Sequence, residues 1–254
     1  MRKIRFAAVG LAGIAALTAC GPSAGQAGGP PQQRTVTVLA AASLTESFNE
    51  LAAKFSAQHP GVRIVFDFEG SQTLDQQINQ GRRADVFASA DTESMDKVSG
   101  AVVGKPATFA TNRLTIAVPP GNPAHIHSFA DLAAPGRKVV VCAPKVPCGA
   151  ASAKVEQISG VRLQPVSEEN DVKSVLQKVS AGEADAGLVY VTDAKSAGAK
   201  VQAVDFPESQ QAINSDPIAP LKDAPEPQLA AQFVSFVTGP TGRQVLEEHG
   251  FGAP

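Results

Sequence analysis

From residue 35 onward, short runs rich in Val, Ile, Leu and Phe alternate with segments whose apolar residues recur at helical spacing. The runs Thr35–Ala41, Arg63–Phe68, Asp85–Ser89, Leu114–Val118, Lys138–Cys142, Gly187–Tyr190 and Val201–Phe206 predict strands. Several are almost continuously apolar, as strands covered on both faces must be. Between them, Leu44, Phe48, Leu51, Ala52 and Phe55 fall on one helical face. So do Leu74 with Ile78, then Val172, Val175, Leu176 and Val179, and later Leu229, Phe233, Phe236 and Val237. Gly81 and Gly182 follow two of these stripes as helix stops. Repeated β-α-β units with short loops predict an α/β fold whose sheets are mainly parallel and flanked by helices.

In such a fold the strand ends and the following helix starts share one edge, and ligands bind there. Helix starts also carry unpaired N–H groups and a partial positive charge, so they attract anions without Lys or Arg. Four joins place small or polar residues at that edge: Ala42-Ser43-Leu44-Thr45, Gly70-Ser71-Gln72-Thr73, Val146-Pro147-Cys148-Gly149 and Asn170-Asp171-Val172-Lys173. Taken singly, each has a purely structural reading. Ser43 with Glu46 spells a capping box and Ser71 a plain cap, while the acidic run 168–171 suits the positive end of a helix. Tyr190, the only Tyr, ends an apolar strand, where a phenol is most often half-buried core. Together, the joins predict an anion receptor if they converge.

Residues 1–19 read as a signal peptide: Arg2, Lys3 and Arg5 precede an apolar run too short for a comfortable membrane span. Leu17-Thr18-Ala19-Cys20 resembles a bacterial lipobox, which implies cleavage before Cys20 and its lipidation. The Gly/Pro/Gln tract that fills residues 20–34 is expected to act as a flexible tether, its ends on the order of 20 Å apart. The chain is therefore expected to be exported and anchored to the outer face of the cell membrane. Removing three positive and no negative charges moves the formal net charge from −2 to −5, which speaks against nucleic acid as a partner. Any anion site must then work through aimed local dipoles. Cys142 and Cys148 remain. Their spacing leaves a disulfide and two free thiols both open, and export favours the disulfide.

The proline-rich stretches at 119–123 and 207–227 suggest two changes of lobe. Lobe one is predicted as 35–112 plus 210–254, and lobe two as 113–209. Other function classes fit less well. A serine hydrolase built on Ser43 or Ser71 needs a nearby base, yet none of His59, His125, His127 and His249 lies in a strand-to-helix turn, and no G-x-S-x-G occurs. A nucleophilic Cys148 likewise lacks a partner. A metal- or peptide-binding lipoprotein is a third class; metal lacks ligand-spaced His and Cys.

Leu39-Ala40-Ala41-Ala42-Ser43-Leu44-Thr45-Glu46-Ser47-Phe48 resembles the opening motif of the molybdate-binding proteins of ABC transporters. Gly70-Ser71, Ala84–Asp91, Val146-Pro147-Cys148-Gly149 and Gly182–Tyr190 match further motifs in order, and the likeness runs from about residue 35 to Gly252. The resemblance implies a two-lobed, periplasmic-binding-protein-like fold of type II, with the ligand in the interlobe cleft. It implies no catalysis and no cofactor, molybdate or tungstate as the ligand, an ABC-transporter permease in the membrane as partner, and a monomer. It assigns the oxyanion contacts to Ser43, Ser71 and Tyr190, and to the backbone N–H groups of Cys148 and Val172. This chain departs from the family pattern at Cys148, where Ala is usual, at Gln72, where a second Ser is frequent, and at Asp216-Pro217-Ile218-Ala219, where the family has Tyr-Pro-Ile-Ala. A site made only of donors disfavours a protonated oxyanion, whose O–H needs an acceptor, and so disfavours hydrogen phosphate. Sulfate, a smaller dianion, stays open as an alternative ligand.

Overall fold

The computed structural model of the chain describes residues 33–254. The predicted signal peptide, Cys20 and the tether up to residue 32 lie outside the described residues. Among the described residues, ten strands form two separate sheets. In chain order the elements are β1 (Arg34–Ala41), α1 (Thr45–Gln58), β2 (Val62–Glu69), α2 (Ser71–Asn79), β3 (Val86–Ala88), α3 (Thr92–Lys97), β4 (Ala107–Asn112) and β5 (Leu114–Val118). There follow β6 (Val139–Cys142), α4 (Pro147–Ser159), β7 (Ser167–Glu169), α5 (Val172–Ser180), β8 (Ala186–Tyr190), α6 (Val191–Ala197), β9 (Gln202–Val204), β10 (Asn214–Pro220), α7 (Pro227–Thr238) and α8 (Pro240–His249).

The first sheet has the order β2-β1-β3-β10-β4 and the second β7-β6-β8-β5-β9. Both are mixed, more so than the apolar runs predict. In the first, β1 pairs parallel with β2 and β3, while β10 runs antiparallel to β3 and β4. In the second, β6 pairs parallel with β7 and β8, while β5 runs antiparallel to β8 and β9. Each sheet thus has a single reversed strand, and the topology explains which. β5 and β10 are the strands that receive the chain from the other sheet. Leu114 opens β5 opposite Tyr190 at the end of β8, and Asn214 opens β10 opposite Asn112 at the end of β4. Both crossings therefore occur at the edge where the other strands end, and a chain entering there must run backwards.

The helical stripes are the core-facing sides. Leu44, Phe48, Leu51 and Phe55 are fully buried and Ala52 is half-buried. Phe48 packs edge-on against Phe66 and Phe233, and Phe55 against Phe233 and Phe236. Burying each such aromatic contributes about 1.5–3 kcal/mol, so α1, β2 and α7 are fastened together mainly by these rings. Val172, Val175, Leu176 and Val179 do the same for α5 on the second sheet. Gly81 and Gly182 adopt the left-handed conformation just past α2 and α5, at φ +88° and +72°. Their N–H groups close the last turns onto Ile78 and Val179. Among the described residues no helix is long and apolar enough to cross a membrane.

Candidate functional site

Strand direction brings the ends of β1, β2, β6, β7 and β8 toward one region. One small cavity there is lined by Ala41, Ala42, Ser43, Glu69, Gly70, Ser71, Ala90, Val146, Pro147, Cys148, Asp171, Val172 and Tyr190. The five residues singled out in the sequence thus meet at a single hollow. Ser71, Cys148 and Val172 lie in the first turns of α2, α4 and α5, and Ser43 in the short 3-10 turn Ala42–Leu44 before α1. The N–H groups of a first helical turn have no partner inside the helix. Three helix starts and a 3-10 turn therefore converge on one point, and no Lys or Arg lines it.

Neither serine is the cap that its position suggests. Leu44 occupies the N-cap of α1 and Gly70 that of α2, and no side chain caps either helix. The predicted capping box fails because the 3-10 turn inserts itself between β1 and α1. Ser43 is held inside that turn, and Glu46 reaches instead to Lys173 Nζ at 2.7 Å. The Ser43 hydroxyl is buried with no hydrogen-bond partner in the protein. Buried hydroxyls seldom stay unpaired, so this oxygen is free to bond a group that enters the hollow.

The other two hydroxyls are oriented from behind. Ser71 Oγ accepts a hydrogen bond from the Ala90 N–H at 3.0 Å. Tyr190 Oη accepts one from Asn214 Nδ2 at 2.8 Å, and the same nitrogen donates to the Ala90 carbonyl at 2.8 Å. That carbonyl can only accept, which fixes the Asn214 amide with its NH₂ toward Tyr190. With an acceptor lone pair of each oxygen engaged, the Ser71 and Tyr190 protons remain to be given away. Burial, followed by the nearby carboxylates of Asp216, Asp91 and Asp193, pushes the Tyr190 phenol well above its ordinary range, so it stays protonated.

Two acidic residues also line the hollow. The Asp171 carboxylate is committed to capping α5: its Oδ1 accepts from the Ser174 N–H at 2.9 Å and its Oδ2 from the Ser174 hydroxyl at 2.7 Å. Glu69 is exposed, so solvent screens it. Cys142 and Cys148 form a disulfide with a Cα–Cα distance of 5.7 Å, joining the end of β6 to the first turn of α4. The loop between them is tight, since a Cβ on Gly149 would lie 2.0 Å from the Ala143 carbonyl oxygen. The bridge therefore anchors Cys148, a cavity-lining residue in the first turn of α4, without engaging its backbone N–H.

Sequence reasoning missed Asn214, and it noted Gln72 only as a departure from the family pattern. Asn214 sits in a polar stretch with no apolar pattern. Gln72 Nε2 donates to the Asn170 carbonyl at 2.8 Å, linking the start of α2 to the start of α5. Gly70 makes room for that approach, because a Cβ there would lie 2.3 Å from Asn170 O. None of the four histidines lines the cavity, so Ser43 and Ser71 have no imidazole base. Among the described residues no group of three or more His, Cys, Asp or Glu could hold a metal ion.

The sequence profile of bacterial extracellular solute-binding proteins matches residues 36–252. This chain belongs to that family. It is accordingly a binding protein, a transport component rather than an enzyme. Its relatives include the molybdate-binding protein ModA of Mycobacterium tuberculosis, 49% identical over 246 residues, which span 95% of this chain and 94% of the relative. ModA of Escherichia coli is 31% identical, over 85% of this chain and 88% of that protein. Among solved structures, the periplasmic molybdate-binding protein of Azotobacter vinelandii superposes with a TM-score of 0.76 at 25% identity, covering 86% of this chain and 99% of that one.

Proposed function

We propose that this solute-binding protein captures molybdate, and with it tungstate, and hands the ion to an ABC-transporter permease. In this reading residues 35–112 with 210–254 form one lobe and 113–209 the other. The guest sits between them, held by the hydroxyls of Ser43, Ser71 and Tyr190 and the backbone N–H groups of Cys148 and Val172. Lipidation of Cys20 keeps the domain at the outer face of the cell membrane.

The observation that carries the reading is the direction of the hydrogen bonds. Ser71 and Tyr190 already accept from Ala90 and Asn214, and Ser43 has no partner, so all three offer protons to one hollow. A hollow whose five proposed contacts are neutral donors suits a fully deprotonated tetrahedral dianion, since the carboxylates that line it are the exposed Glu69 and the Asp171 that caps α5. The O–H of hydrogen phosphate would face those donors in place of an oxygen that can accept from them, at a cost of about 1–3 kcal/mol. Neutral donors and helix dipoles stabilise the two charges without a fixed counter-charge, so release to a permease does not require breaking a buried ion pair. The names of the relatives point to the same ion.

Isothermal titration of the mature chain with molybdate, tungstate, sulfate and phosphate tests this. Tight one-to-one binding of molybdate and tungstate, with phosphate silent, is the expected result. Phosphate binding as tight as molybdate, or no binding of molybdate, would overturn it.

A further inference from the structure

Two contacts beside the cavity join elements of different sheets, and neither touches the hollow. Lys173, the second residue of α5, reaches Glu46 in the first turn of α1 at 2.7 Å. Gln72, the second residue of α2, reaches the Asn170 carbonyl at 2.8 Å. Each bridging side chain neighbours a cavity residue in sequence: Lys173 follows Val172, Gln72 follows Ser71, and Glu46 stands one turn after Ser43.

Lys173 is not a loose surface cation. Its ammonium also lies 3.2 Å from Asp193 Oδ1, which is fully buried, and 3.3 Å from Ser196 Oγ. Burial alone would lower the Lys173 pKa, but Asp193 and Glu46 outweigh it and hold the amine above its ordinary range, so it remains charged. Asp193 and Ser196 belong to α6, on the same sheet as α5. The amine is therefore fixed in place by its own side before Glu46 meets it. A held partner loses little side-chain freedom on pairing, which is the usual reason that surface pairs are weak.

We propose that Glu46 and Lys173 are positioning residues that clasp the first-sheet half to the second-sheet half over a bound oxyanion and set how long the complex stays shut. The proposal rests on the binding reading above. Separation of the halves breaks the Glu46–Lys173 and Gln72–Asn170 contacts together, whereas the Lys173–Asp193 contact survives. The clasp acts on the closed form alone, so it slows dissociation and leaves the encounter rate nearly unchanged.

The test is stopped-flow and calorimetric binding of molybdate to the wild-type chain, E46Q and E46K, with melting temperatures taken without ligand. E46Q is expected to raise the dissociation rate and the Kd about fivefold, with association within a factor of two. E46K, which faces Lys173 with a like charge, is expected to raise them further, to about twentyfold. The ligand-free melting temperature of E46Q should match wild type, since Glu46 is exposed and the fold does not depend on it. Wild-type binding with dissociation unchanged in both variants would overturn the clasp alone. Failure of the wild-type chain to bind molybdate would overturn the reading beneath it as well.

Discussion

The two halves of the cavity wall are built differently. The first-sheet half offers side-chain hydroxyls, Ser43 and Ser71, set on backbone that turns out of strands β1 and β2. The second-sheet half presents the starts of α4 and α5, where Cys148 is pinned by a disulfide and Val172 follows the aspartate cap at Asp171, and its proposed donors are main-chain N–H groups. Tyr190 ends a second-sheet strand, yet its hydroxyl is held by Asn214 of the first sheet. A hydroxyl wall can be deleted one group at a time. A main-chain wall of the kind proposed would tolerate almost any side chain, Cys148 included. The difference teaches that substitution will look lopsided even where both walls contribute equally.

The largest expected effect breaks the hydroxyl wall. Replacing Ser43 and Ser71 together by Ala removes two hydrogen bonds to a charged guest, each worth about 1.5–3 kcal/mol, so molybdate affinity should fall by roughly 10²–10⁴-fold in a calorimetric titration. A fall of less than tenfold would mean that the main-chain wall binds almost alone.

The main-chain wall can be attacked only by removing an N–H. Val172→Pro does so with little damage, because the first helical position accepts Pro and Asp171 before it is already extended, at φ −155° and ψ 164°. The expected loss is about 10–100-fold in affinity with the α5 helix intact by circular dichroism. Equal affinity in this variant would remove Val172 from the site.

A smaller effect sharpens the contrast from behind the wall. Asp216 on β10 is buried, and both its carboxylate oxygens lack partners. Burial first, then Asp91 and Asp193, raise its pKa well above the ordinary value of 3.8. The folded protein thus binds this proton more tightly than the unfolded chain does. Its contribution to stability is fully present below about pH 4 and is lost as pH rises toward the folded pKa. Asp193, raised to about 6 by burial, acts in the same sense between about pH 4 and 6. Asp216→Asn carries no such charge, so it should melt a few degrees above wild type at pH 7.5, with the advantage shrinking at pH 4.5. An advantage independent of pH would contradict the assignment.

How much of this was legible in the sequence depended on hydrophobic pattern. β5 is found at the residues that its apolar run predicts, and the stripes on α1 and α5 are the buried faces. β4 (Ala-Thr-Phe-Ala-Thr-Asn), β7 (Ser-Glu-Glu) and β10 (Asn-Ser-Asp-Pro-Ile-Ala-Pro) had no such run. β10 was further masked by Pro217, which the sheet tolerates through a register shift between Asp216 and Pro217. Missing those strands hid the reversed strand of the first sheet, and with it Asn214. At the site, the joins were legible because small residues at strand ends are unusual together. Their partners were not, since the Ala90 N–H, the Asn170 carbonyl and the Glu46–Lys173 pair depend on contacts between residues 19 to 127 positions apart.

In the proposed complex, protons from both walls point at one guest. A crystal structure of the mature protein with molybdate, read through the anomalous signal of molybdenum, tests it most directly. One strong peak is expected, marking an ion whose oxygens lie about 3 Å from Ser43 Oγ, Ser71 Oγ, Tyr190 Oη and the N atoms of Cys148 and Val172. A peak away from that hollow, or one coordinated by a carboxylate or a lysine, would contradict it.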